Sequence, residues 1–187
     1  DLRKNFMTNY SADISKIRRH FLPENFAITD WASLEPWLKD LAARDINSLD
    51  AFEKWLADMN ELEAVVSEDA CWRQIRMTCD TTDKALEESF KYFYLEIQPK
   101  IKPYSDQLNK KLISSPFTAE LDKDKYFTYI RNVKKSIDLF REANIPLQAE
   151  INVLQQQYGQ VAGAMTVTVD GQEYTLQQAA KFLEDPV

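Results

Sequence analysis

From Ser48 to Cys79 the chain runs for 32 residues without a proline or a glycine. Within it Leu49, Phe52, Leu56, Met59, Leu62, Val66, Ala70 and Trp72 follow one another mostly at intervals of three and four. That spacing lays apolar side chains along one face of a helix. Ser48 stands where a cap is needed, since its hydroxyl can accept from a free backbone N–H of the first turn. One helix of this length would reach roughly 48 Å at ~1.5 Å per residue, further than a small domain is wide. A helix so long and so apolar needs other helices beside it.

The flanking sequence supplies them. Phe21–Phe26 reads as an extended lead-in, because Pro23 restricts Leu22. Ser33 is the expected cap of a helix over Leu34–Arg44, with Pro36 in the first turn and Trp37, Leu38 and Leu41 as its apolar face. After Cys79, Asp80-Thr81-Thr82-Asp83 breaks the helix and caps the next, Lys84–Ile97, with Phe90, Phe93 and Ile97 along one side. Pro99 and Pro103 interrupt a pattern that runs on through Ile101, Leu108 and Leu112, which predicts a kinked helix or two abutting ones. Ser115-Pro116 opens a short helical turn through Leu121. Tyr126–Arg141, with Phe127, Ile130, Val133, Ile137 and Phe140, is an amphipathic helix. Asn144-Ile145-Pro146 ends it and opens Leu147–Val161, with Ile151, Leu154 and Tyr158.

The period changes at Met165. Met165–Val169 alternates, Asp170-Gly171 is a two-residue turn signal of the type I′ kind, and Gln172–Thr175 returns, which together predict a hairpin. Thr175 and Gln178 form a capping box for Leu176–Glu184. A lone hairpin is marginal in water, so this one is expected to pack on something. The expected fold is mostly α: an antiparallel, bundle-like array of helices with one β-hairpin near the C-terminus. Three parts are expected: a basic arm over 1–20, a helical lobe over 21–163, and a hairpin and helix over 164–187 that lead towards a further domain. A short helix around Tyr10–Arg19 is compatible with the weak pattern of the arm. The opening on Asp1 and the stop soon after Asp185 read as the ends of a piece of a longer protein.

Composition excludes several classes. The three glycines, Gly159, Gly163 and Gly171, are too few for a turn-rich all-β fold or a glycine-rich phosphate loop. The net charge of −7 is uneven: residues 1–20 carry +3 and the remainder −10. An acidic body is a poor nucleic-acid surface, which needs clustered positive charge to displace counterions, and Arg18-Arg19-His20 reads as part of a solvated arm. Nothing approaches the ~20 apolar residues of a membrane span, and there is no secretory pattern. Cys71 and Cys79, eight apart on one helix, would lie ~12 Å apart, beyond the ~7 Å that a disulfide tolerates. They are expected to be free, buried structural thiols in a reducing cytoplasmic setting.

No residue of this chain emerges as catalytic, cofactor-binding or metal-ligating. His20 is the one histidine, so neither the H-E-x-x-H pair of helical zinc proteases nor paired Glu-x-x-His ligands can be built. Glu61, Glu63, Glu68 and Asp69 read as a solvated helix face. Trp31, Trp37, Trp55 and Trp72 could line a peptide groove, but their helical spacing favours core anchoring. Arg73 and Arg76 could clamp a carboxylate; an interhelical ion pair is the plainer reading.

Several stretches in this order carry a family likeness: Arg19–Phe26 (RHFLPENF), Asp45–Leu49 (DINSL), Trp72–Thr81 (WRQIRMTCDT), Asn132–Ile137 (NVKKSI) and Leu176–Leu183 (LQQAAKFL). Together they resemble the N-terminal region of oligoendopeptidase F-like zinc metallopeptidases, which belong with the thimet-oligopeptidase-like enzymes. The resemblance covers about residues 19–187. It implies a helical lobe preceding a catalytic part that carries H-E-x-x-H and a further glutamate ligand. The two parts of such an enzyme enclose a deep channel for short unfolded peptides.

By that resemblance the parent is a zinc-dependent oligopeptidase of the cytoplasm, and this chain is a channel wall that holds no zinc and hydrolyses nothing alone. Its implied partners are short peptides and the absent C-terminal catalytic domain. If such a domain normally covers the lobe, an exposed apolar patch is expected, through which two copies could also pair as a homodimer. The alternative is a free-standing helical module that holds a peptide or partner helix in an aromatic groove.

Overall fold

A computed structural model of the chain describes residues 19–183. Most of the expected basic arm, including all but the last residue of the helix considered at Tyr10–Arg19, lies outside the described residues. The elements in order are α1 (Trp31–Ala43), α2 (Leu49–Cys79), α3 (Lys84–Tyr92), a π-helical segment (Phe93–Ile97), α4 (Gln98–Ser114), a 3-10 turn (Pro116–Ala119), α5 (Lys123–Leu139), α6 (Asn144–Ala164), β1 (Thr166–Val169), β2 (Gln172–Thr175), α7 (Leu176–Ala179) and a last 3-10 turn (Ala180–Leu183). The expected mostly helical array with a late hairpin is what forms.

The long helix begins where expected, with Ser48 Oγ accepting from Ala51 N at 3.1 Å. It outruns its own core. Phe52, Trp55, Leu56, Met59 and Leu62 are buried, but beyond Leu62 only Met77 is. The second half is instead paired with α3. The two helices meet through the Asp80–Asp83 turn, and Arg73 reaches across to Ser89 on the other helix of the hairpin. The main core joins Leu34, Leu38 and Leu41 of α1 with the first half of α2, Phe93 and Ile97 of the π segment, Leu108 and Leu112 of α4, and Val133 of α5.

Two caps differ from expectation. Asp30, rather than Ser33, caps α1: its carboxylate accepts from Ser33 N at 2.8 Å, while the Ser33 hydroxyl accepts in return. This reciprocal box starts the helix three residues early and leaves Pro36 inside it rather than in its first turn. Asp122 similarly caps α5, accepting from Asp124 N and Lys125 N, and starts it at Lys123 rather than Tyr126.

The proline-rich stretch resolves as two abutting helices joined by the π segment. Pro99 cannot donate to the carbonyl one turn back, and its ring crowds that carbonyl. A wider turn takes up the conflict and sets Phe93 and Ile97 fully into the core. The hairpin has the expected register, with Val169 opposite Gln172 and Thr166 opposite Thr175. Asp170 (φ 52°) and Gly171 (φ 80°) both take the left-handed conformation that a type I′ turn needs. The hairpin packs on α7 and the turn that follows, where Tyr174 meets Phe182 edge-on at 5.1 Å.

Candidate functional site

The residue types that most often carry chemistry are largely used to hold the fold. Trp55 is fully enclosed, stacks on Phe52 at 5.8 Å, and donates its indole N–H to Leu41 O at 2.9 Å. Trp37 is half-buried and meets Phe21 and Phe26 edge-on; Trp31 packs against Tyr104. Trp72 departs from the core-anchor expectation: it lies on the part of α2 beyond the core and is exposed, with Arg76 over its ring. Cys71 and Cys79 are free, as expected, but exposed rather than buried, because α3 covers only one side of that half of α2.

Glu61 was expected on a solvated face with Glu63, Glu68 and Asp69, and it is not free there. Its carboxylate accepts three backbone N–H groups from the lead-in: His20 and Leu22 at 2.8 Å and Phe21 at 3.2 Å. Partial burial opposes its ionisation, yet these donors outweigh that and hold its pKa below the ordinary value. Among the described residues Arg73 forms no interhelical ion pair. It pairs with Asp69 one turn back on α2 at 2.7 Å and donates to the carbonyls of Ile28 and Ser89. Lys111 of α4 donates to the carbonyls of Leu41, Ala42 and Arg44, the unpaired end of α1. Arg44 in turn pairs with buried Asp58 at 2.5 Å. These contacts tie α1, α2, α4 and the lead-in together, and none leaves a reactive group facing a cleft.

Two surface features of the described residues stand out. The first is the outer face of α6 and its end. Leu147, Ile151, Leu154, Tyr158, Val161 and Met165 recur at intervals of 4-3-4-3-4. All six are exposed, Tyr158 at 76%. The inner face of α6 carries Ala149, Asn152 and Gln156 instead. Asn152 bonds Gln98 at 3.2 Å. The Gln156 side chain is buried, and neither of its amide atoms has a partner among the described residues. Ile145 and Val153 are part-buried beside these residues. Yet the two buried positions of the helix, Ala149 and Gln156, are small or polar, while a continuous apolar row faces outward, an unusual division for an amphipathic helix. The row presents on the order of 600 Å², the upper end of what monomers leave open. The sequence singled out Ile151, Leu154 and Tyr158 as an apolar face but not the direction in which they point.

The second feature is a cleft of about 390 Å³ between the Pro116–Ala119 turn and one face of α5. Tyr126, Phe127 and Ile130 form much of its floor, with Lys123, Arg131 and Lys134 beside them. Phe127 was expected to face the core but is 64% exposed. The inward positions of α5 go to Val133, with Tyr129, Ile130 and Ile137 packed against the core. Burial, with Glu63 nearby, pushes the Tyr129 hydroxyl up to about 12, so it stays protonated.

Among the described residues no group of three or more His, Cys, Asp or Glu side chains could hold a metal ion. The described residues thus do not fit the zinc that the resemblance implies for the parent, and no step through a metal is derived from them. Neither the curated proteins nor the solved structures include a match to this chain. A family model described as the Peptidase M3 N-terminal domain does match, over residues 21–140. That span runs from the lead-in held by Glu61 to the end of α5 and takes in the whole main core. The chain therefore belongs to the Peptidase M3 N-terminal domain family, and is part of a metallopeptidase whose substrates are peptides.

Proposed function

We propose that this chain is the helical N-terminal lobe of a zinc-dependent oligoendopeptidase of the cytoplasm, a wall of the channel that admits short peptides. It contributes shape and docking rather than chemistry. The observation that carries this reading is the outward apolar row of α6, which begins just after the family match ends. The 4-3 spacing suits a helix packed at a shallow angle. The reading assigns that place to a helix of the catalytic part. The two free cysteines suit a reducing compartment. The alternative, a free module with an aromatic groove, has less support, since Trp55 is enclosed and Trp31 and Trp37 are half-buried.

The test is a hydrolysis assay on the purified chain with a fluorogenic peptide, with and without added zinc. No turnover is expected. Mixed with an M3-type catalytic part that carries H-E-x-x-H, the chain should form a complex, and chelator-sensitive hydrolysis should appear or rise. Chelator-sensitive turnover by this chain alone would overturn the proposal.

A further inference from the structure

The cleft on α5 lies apart from the α6 row in the sequence and has a different chemistry. Its lining is an aromatic and aliphatic floor among cations. Lys123, Arg131 and Lys134 are exposed, and none forms an ion pair among the described residues. The one acidic side chain of the lining, Asp122, is committed to capping α5. The residues that line the cleft hold three Lys/Arg against one Asp, or +2, in a chain whose net charge is −7. A local positive field over an apolar floor selects ligands that are both anionic and apolar.

Spacing narrows the class. Arg131 and Lys134 are three apart and so neighbours on the helix surface. Together they can hold one carboxylate, with the guanidinium offering a planar pair of donors. Phe127 lies one turn before Arg131 and offers its ring to a side chain beside that carboxylate. Lys123 stands eleven residues before Lys134, ~16 Å away at ~1.5 Å per residue. An extended chain covers that distance in about five residues.

We propose that the α5 cleft binds the C-terminal end of an extended peptide. Its terminal carboxylate sits on Arg131 and Lys134, its last apolar side chain on Phe127 and Ile130, and an acidic residue about four places earlier meets Lys123. This goes beyond the lobe's role as a wall, and it requires neither a catalytic part nor a partner on α6.

The experiment is fluorescence anisotropy on the chain alone. The probe is a pentapeptide, Asp-Ala-Ala-Ala-Leu, labelled at its N-terminus through a short linker and ending in a free carboxylate. Its C-terminal amide is the control. The acid is expected to bind at least tenfold more tightly than the amide, and more weakly as salt rises. Arg131→Gln with Lys134→Gln should remove that preference, and Phe127→Ala should weaken both peptides. All three positions are exposed, so melting temperatures should stay unchanged and separate lost binding from lost folding. Equal binding of acid and amide, no binding of either, or full competition by inorganic phosphate at equal concentration would overturn the proposal. So would binding to phosphatidylglycerol vesicles without binding of the free acid. Failure here leaves the peptidase-lobe reading standing, because the hydrolysis and complex-formation tests do not involve this cleft.

Discussion

Glu61 Oε1 accepts the backbone N–H of Leu22 at 2.8 Å, across 39 residues of chain. With the His20 and Phe21 bonds, this one carboxylate fastens the lead-in to the middle of the long helix and seats Leu22 in the core. Glu61→Gln leaves a single oxygen for three donors and should cost about 1–3 kcal/mol. The pH dependence follows from the lowered pKa. The unfolded carboxyl takes up a proton more readily than the folded one, so the stabilisation is present above its ordinary value of 4.5 and lost on acidification below it. Urea midpoints at pH 7 and pH 3 should differ more for the parent chain than for Glu61→Gln. Parallel shifts would contradict this role.

Glu87 of α3 is a second acid-sensitive point. Lys91 at 2.6 Å and Lys84 at 2.9 Å both donate to it and bring its pKa down to about 2. Lys84 is mostly exposed, so solvent screens part of the gain and on the order of 1 kcal/mol is expected from the cluster. Again the folded pKa is depressed, so the contribution is present above 4.5 and declines as pH falls towards 2. Glu87→Gln should lower the melting temperature at pH 7 by a few degrees and leave it nearly unchanged at pH 2. Calorimetric scans at the two pH values check this.

Two of the tryptophans, Trp55 and Trp72, should separate cleanly. Trp55→Phe removes a buried indole and its bond to Leu41 O, and should cost about 2–3 kcal/mol. Trp72→Phe should change stability by less than about 0.5 kcal/mol, as exposed substitutions do. Urea unfolding followed by circular dichroism reads both, and equal effects would contradict the placement of Trp72 outside the core.

Cys71 and Cys79 should both react with a thiol reagent in the native state, at rates close to those in denaturant. The sequence suggested the opposite because spacing alone does not say where a helix leaves its core. That distinction accounts for most of what was legible and what was not. Ser48, the proline pair and Asp170-Gly171 act through neighbouring backbone, so their effects on local structure could be read directly. Glu61 and Lys111 act on backbone groups distant in sequence, and no local pattern announces that. Phe127 and Trp72 fit the helical period of their neighbours yet lie outside the packed face. The cleft left a faint trace in the sequence, the cations Lys123, Arg131 and Lys134 within an acidic chain.

The α6 row is where the sequence pattern and the packing diverge most, and it gives the last prediction. A buried Gln156 with no side-chain partner among the described residues, and six apolar side chains outside, are a costly arrangement for an isolated lobe. If a partner helix normally covers the row, polar substitutions there should not harm the lobe itself. Leu154→Gln with Tyr158→Gln should leave the melting temperature within about 2 °C, since exposed positions contribute little. The same pair should reduce binding of a hydrophobic dye, suppress any self-association seen by light scattering, and weaken capture by an M3-type catalytic part at least tenfold. Ala149→Leu, on the inner face, should do the reverse and destabilise the lobe by crowding its packing against its neighbours. A large loss of stability in the double variant would mean that the row packs within the lobe, and the docking assignment would fail.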